Sequence, residues 1–170
     1  MKQDEKKVRE FLQKNGVDEK SITISPVAMN EVYDYTTQNA TVEKPKKYSL
    51  YQSVEISAND VNKIKDIATK ASDLINNGVI FSIQTPEYYY TKLADARISL
   101  IDGAIKDAKQ RASVIAKSSD KEIASILSAS MGVVQVSPPN SIDVSDYGTY
   151  DTSSIEKEIM ITVKATFSFR

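Results

Sequence analysis

The side chains that could carry chemistry in this sequence are carboxylates, lysines and tyrosines. Histidine and cysteine are absent. That removes the commonest general base, the commonest transition-metal ligand and the switch near neutral pH. It also removes a thiol nucleophile, a disulfide frame and any Cys-ligated metal. Asp143, Asp146 and Asp151 are spaced closely enough to offer oxygen ligands to a hard cation. Gly148 lies among them, but no Glu closes an EF-hand loop. A solvated loop is the simpler account of the three. Glu156-Lys157-Glu158 suits cross-strand ion pairs. Asn39-Ala40-Thr41 matches a glycosylation sequon, which matters only in a eukaryotic secretory protein. No Gly-rich phosphate loop occurs.

Tyrosine is the more distinctive feature. Tyr88-Tyr89-Tyr90 is a consecutive run, and Tyr33, Tyr35, Tyr48 and Tyr51 flank a polar turn. Tyr combines apolar area with a polar tip and is enriched where proteins meet. Three consecutive Tyr cannot all face inward in a strand, so one at least lies near the surface. We take Tyr33, Tyr35, Tyr51, Tyr88, Tyr89 and Tyr90 as the candidate interaction surface. Packing of alternate tyrosines on a sheet, with the others on its rim, is the competing account.

These residues need elements to hold them. Val8, Phe11 and Leu12 give residues 3–15 an apolar face, and Asn15-Gly16 stops that helix. Residues 20–36 read as a strand with a kink or edge at Pro26, and 37–46 as a polar turn. Tyr48, Leu50, Gln52, Val54 and Ile56 alternate with polar neighbours, as in a half-buried strand. The two strands form a long hairpin. Asn59-Asp60 caps a second helix that ends at Asn76-Asn77-Gly78. Val79 to Ile83 reads as a compact strand. In 92–117, Ala94, Ile98, Ile101, Ile105, Ala108, Ala112 and Ile115 form an apolar helical stripe. That stripe fits a helix lying on a sheet, or a coiled-coil seam. A strand covers at least Ala129–Val136. Residues 137–153 read as a long flexible loop, so deleting Pro139–Thr149 is expected to leave the fold intact. The alternation from Ile159 to Phe169 is a final strand.

The order α-β-β-α-β-α-β-β predicts an α+β fold with helices on antiparallel or mixed sheets. A single domain over 1–170 is expected, and a two-lobed build is compatible with it. The 22 basic and 23 acidic residues leave a net charge of −1, with no pull toward nucleic acid. No apolar run reaches the roughly 18–20 residues of a membrane span, and the charged start has no signal-peptide core. No cofactor is implied.

The second half resembles the SIMPL family, also called domain of unknown function 541. The carrying residues are Ala96-Arg97, Ala104, Asp107-Ala108, Arg111-Ala112 and Ala116 in the long helix. A strand over Ile126–Val136, a Pro-containing loop and a closing strand from Ile155 to Phe169 follow in family order. Upstream, Gly16-Val17 through Ser21-Ile22-Thr23, the strand Tyr48–Ile56 and the helix after Asn59-Asp60 also fit. The sequence departs at Lys117-Ser118-Ser119-Asp120 and Glu156-Lys157-Glu158, where relatives often carry Gly.

The resemblance implies a bacterial periplasmic or envelope-associated protein, with export signal and first strand lying upstream of these residues. Some relatives are linked to stress resistance, one assembles as a channel-like ring, and a mammalian relative is a signalling adaptor. No enzyme and no catalytic residue carries over. The expectation is a non-enzymatic protein acting through self-association or contact with an envelope protein. A small-ligand module, with a pocket between sheet and helices near the tyrosines, is the alternative.

Overall fold

A computed structural model describes residues 1–33 and 47–170. The turn at 37–46, the sequon at Asn39 and the candidate Tyr35 lie outside the described residues. The fold is α+β. The chain divides into two compact units, residues 1–86 and 87–170.

Unit 1 begins with helix α1 (Lys2–Lys14). An isolated helix of this length is marginal in water, so its apolar face must find cover. Its end is built by Asn15-Gly16. Gly16 takes φ 76°, Gly16 N–H donates to the Gln13 carbonyl, and Val17 N–H to the Leu12 carbonyl. This is a Schellman stop, with apolar Leu12 and Val17 on its two sides, both buried. Strand β1 (Ile22–Ile24) pairs antiparallel with β4 (Val54–Ile56), Ile22 opposite Ile56. Beyond Pro26 the chain continues as β2 (Ala28–Val32), antiparallel to β3 (Lys47–Tyr51). The hairpin therefore breaks into two short ladders at Ser25–Val27, where Pro26 cannot donate.

Asp60 caps α2 (Val61–Lys70), its carboxylate accepting from Asn62 and Lys63 N–H at 3.1 Å each. Leu12, Val17 and Ile67 form the core, with Val8, Phe11, Ile22, Val54 and Ile56 packed against it. Both helices thus cover one face of β1–β4. Each fully buried Leu or Ile contributes about 1.5–3 kcal/mol here. A short helix α3 (Asp73–Asn76) ends in a second Schellman stop, with Gly78 at φ 76° and Val79 N–H on the Leu74 carbonyl.

One expected strand does not form. Residues 79–83 belong to no helix and to no ladder among the described residues. Val79 is 4% exposed while Ile80 is 101% exposed. Phe81 is half-buried, but Ile83 is exposed, so the alternation does not run the length of the segment.

Unit 2 is organised by helix α4 (Leu93–Lys117), which packs on β9 (Val163–Phe169) and β5 (Ile123–Met131). The expected stripe is covered in its middle, at Ile101, Ile105, Ala108 and Ala112, and not at its ends. Ala94, Ile98 and Ile115 are exposed, whereas Ala96, Leu100, Ala104, Ala108, Ala112 and Ala116 turn inward. Ile101 and Ile105 of the expected stripe are half-buried too, beside the Ala96–Ala116 row. Here that row is mostly Ala, which lets the helix approach the strands closely. The outer face carries Lys106–Asp102 and Arg111–Asp107 ion pairs, each worth a few tenths of a kcal/mol.

Strands β5 and β9 pair antiparallel from Ile123–Phe169 to Met131–Val163, with register shifts near Ile126. The ladder runs on through Gly132 N–H to the Thr162 carbonyl. It resumes as β6 (Gln135–Ser137) against β8 (Glu158–Met160). Strand β7 (Thr149–Tyr150) adds to β6 in parallel, giving the order β7-β6-β8. Val136 is the best-buried large side chain, as a central strand dictates. Residues 137–153 are therefore not all loop, since part of the segment is a strand.

Candidate functional site

The candidate tyrosines fall in both units. In unit 1, Tyr51 stands opposite Ala28 on the β2–β3 ribbon, and Tyr48 stands opposite Glu31. Met29 faces Leu50 across the same ladder. Side chains alternate, so Met29, Glu31, Tyr48 and Leu50 share one face while Ala28, Val32 and Tyr51 share the other. Met29, Val32, Tyr48, Leu50 and Tyr51 are all exposed. Tyr33 is half-buried just beyond β2, and its hydroxyl donates to Glu31 Oε2 at 2.5 Å. Tyr48 belongs to this surface as much as Tyr51 does, and the alternation from Tyr48 to Ile56 already signalled it.

In unit 2 the three consecutive tyrosines run beside β7. Tyr88 N–H donates to the Thr152 carbonyl at 2.7 Å, and Tyr90 N–H to the Tyr150 hydroxyl at 3.1 Å. The rings of Tyr89 and Tyr150 stack, centroids 6.2 Å apart and planes 28° from parallel. The Tyr89 hydroxyl donates to Glu87. Tyr88 is half-buried, with Tyr89 and Tyr90 more exposed. Tyr150 was not among the expected residues, because nothing local distinguishes it within a polar stretch. Only the parallel β6–β7 pairing brings it to Tyr89.

The supporting loop is held by two polar locks. Gln135 is 6% exposed, and its amide donates to the Ser145 carbonyl at 2.7 Å and accepts from Thr149 Oγ1 at 2.9 Å. Lys157 and Asp151 pair at 3.3 Å with side chains only 6% and 11% exposed. Lys157 Nζ also donates to the Asp151 and Ser154 carbonyls, both at 2.6 Å. Asp151 accepts from Ser153 Oγ at 2.6 Å, Ser153 N–H at 2.9 Å and Ser154 N–H at 3.2 Å. The Ser153 hydroxyl bond leads in holding this carboxyl well below its ordinary value, against the opposing effect of burial. Asp151 and Lys157 therefore act as a staple for the turn. Asp143 and Asp146 do not join Asp151 around a common centre, and no metal-competent group of acidic side chains occurs among the described residues.

A shallow cavity of about 370 Å³ lies between α4 and the β8 end of the sheet, lined by residues including Ser99, Gly103, Asp107, Glu158 and Met160. It is not beside the tyrosines. Its two carboxylates are at an open rim, and no buried polar group converges on it.

The chain is a member of the SIMPL family, described as a protein of unknown function (DUF541), whose profile matches residues 1–169. The Ala96–Ala116 row that carried the resemblance is the row packed on β5 and β9. No curated protein matches the chain. No helix among the described residues is long and apolar enough to cross a membrane.

Proposed function

We propose that this SIMPL-family chain is a non-enzymatic protein-contact module of the bacterial envelope, and that it associates with itself through the β2–β3 ribbon. The observation that carries this reading is the exposure of apolar side chains on both faces of that ribbon. A two-stranded ribbon is marginal in water by itself, so such a ribbon gains from a partner surface. The Tyr89–Tyr150 stack offers a second contact surface on unit 2. The family resemblance supports the envelope location.

Light scattering after gel filtration gives the absolute mass. A discrete oligomer is expected, with Leu50→Glu reverting to monomer at unchanged helicity. Met29, directly opposite Leu50, should behave the same way when replaced by Glu. A monomer across the concentration range, or an oligomer indifferent to both substitutions, would sink the ribbon as the contact. Fractionation of cells carrying the native gene tests the location, and recovery in the cytosol alone would refute it.

A further inference from the structure

Strand β5 is the longest strand among the described residues, and β9 is its one partner there. Gly132 N–H donates to the Thr162 carbonyl, and the register runs back from there through Ser130–Lys164 to Ser128–Thr166. In an antiparallel ladder, hydrogen-bonded pairs alternate with unbonded ones. Ser128 and Ser130 therefore turn their main-chain groups to β9, and Ala129 and Met131 turn theirs to the outer edge. No second strand pairs with that edge among the described residues. Every residue from Ala124 to Met131 is exposed.

Free edges are ordinarily guarded by a charge, a Pro or shortness. Strand β5 has none of these: Ile-Ala-Ser-Ile-Leu-Ser-Ala-Ser-Met carries no charged residue and no Pro. The opposite strand of the ladder, β9, carries Lys164. Register shifts distort β5 only before Ser128, which leaves the stretch from there to Met131 regular. Its side chains also lack cover. Val163 and Ala165 are half-buried while Lys164 and Thr166 are exposed, so the first two face α4. Residues directly opposite share a face, which puts Met131 and Ala129 on the α4 side as well. Both are exposed all the same, as is Leu127, because α4 lies chiefly over β9.

The surface that complements this edge is the edge itself. An antiparallel pairing of two copies centred on Ala129 sets Ala129 against Ala129, Ser128 against Ser130 and Leu127 against Met131. Small side chains meet small ones, large apolar ones meet large apolar ones, and no charge enters. The outward main-chain groups of the two Ala129 residues meet as a hydrogen-bonded pair. We propose that β5 is a second self-contact, in which two copies join β5 to β5 about a two-fold axis at Ala129 and make one sheet in the order β9-β5-β5-β9. Leu127 and Met131 of both copies then line a shared apolar strip between the two α4 helices. The joint is distinct from the β2–β3 ribbon and rests on that reading in one respect. A ladder of about five residues is marginal alone, so it adds to chains that the ribbon has already gathered.

The sequence has no cysteine, so one introduced cysteine reports the register in the full chain by disulfide formation under mild oxidation. Paired residues lie about 4.5–5.5 Å apart, within the roughly 4.4–6.8 Å that a disulfide spans. Residues two places out of register lie beyond that reach. Ala129→Cys should crosslink at least about tenfold faster than Val114→Cys on the exposed side of α4. Ser128→Cys and Ser130→Cys should each be slow alone and fast when the two chains are mixed. Adding Leu127→Lys to Ala129→Cys should slow crosslinking about tenfold, with circular dichroism unchanged. Slow crosslinking at Ala129→Cys in an oligomer that Leu50→Glu dissolves overturns this joint and leaves the ribbon standing. Fast crosslinking there in chains that Leu50→Glu leaves associated overturns the ribbon and supports this joint. A monomer throughout, with slow crosslinking, overturns both. Equal rates at residues 128, 129 and 130 refute the register, and the joint with it.

Discussion

Three glycines occupy the left-handed region, and they separate backbone strain from steric exclusion. Gly16 and Gly78 both have φ 76°, and Gly148 has φ 85°. A Cβ on Gly16 would meet only the mobile end of Lys63, at 3.6 Å. A Cβ on Gly148 would lie 2.8 Å from the Val134 carbonyl oxygen and 3.6 Å from Val133 Cβ. The left-handed conformation costs an L-residue about 1–2 kcal/mol. Ala recovers about 0.4–1 kcal/mol of that by restricting the unfolded chain. Gly16→Ala should therefore destabilise by about 1 kcal/mol. Gly148→Ala carries the same strain plus displacement of backbone next to β6, an overpacking cost of about 1–3 kcal/mol. Its total is about 2–4 kcal/mol. Urea unfolding of both variants, followed by circular dichroism and by exchange within each unit, gives the difference. Equal losses, within about 0.5 kcal/mol, would show that the loop at Gly148 relaxes freely and that the close approach constrains nothing.

Asp120, at φ 56°, ends α4 in a position that favours glycine, with Lys121 N–H on the Ala116 carbonyl. Asp120→Gly should raise stability by about 0.5–1 kcal/mol in urea unfolding, and a loss would refute the strain. Because the Asp151 carboxyl is held below its ordinary 3.8, its contribution is present at neutral pH and above. It is lost as pH falls through the acid range below about 4. Asp151→Asn should thus be less stable than the parent at pH 7, with the gap beginning to narrow only as pH falls below about 4. Parallel stability–pH curves would count against the staple. Deleting Pro139–Thr149, which loop composition suggested was harmless, removes both partners of buried Gln135 and half of β7. It should cost more than the roughly 1–3 kcal/mol of one unsatisfied buried group. An unchanged unfolding curve would return the segment to the status of a spare loop.

Chain punctuation was the legible part. Asn15-Gly16, Asp60 and Asn77-Gly78 do their work through hydrogen bonds a few residues away, so local sequence suffices to find them. The alternation of the last strand is equally local. Pairing is not. The apolar run at 79–83 suggests a strand, but whether a ladder forms depends on a neighbour that the pattern does not encode. The α4 stripe held at Ile101, Ile105, Ala108 and Ala112 and not at Ala94, Ile98 and Ile115, because a heptad stripe drifts around a straight helix while a sheet covers a limited width. Among the tyrosines, Tyr51 and Tyr88–Tyr90 were singled out by residue type alone. Tyr150 was not, because a parallel strand pair brings it to Tyr89 from far along the chain.

The β5–β9 ladder closes with Glu122 and Arg170 exchanging both main-chain hydrogen bonds, N–H to carbonyl at 3.0 and 2.9 Å. Helix α4 thus rests on a strand made after everything else in these residues. During synthesis, unit 1 is fully translated while unit 2 still lacks β9. At about 5–20 residues per second, translating the stretch from the end of α4 to Arg170 takes on the order of 3–10 s. Through that interval the Ala row of α4 has no sheet to lie on. A nascent chain in that state is a natural client for a chaperone, and a ribosome stalled just before Val163 would hold unit 2 open however well unit 1 had folded.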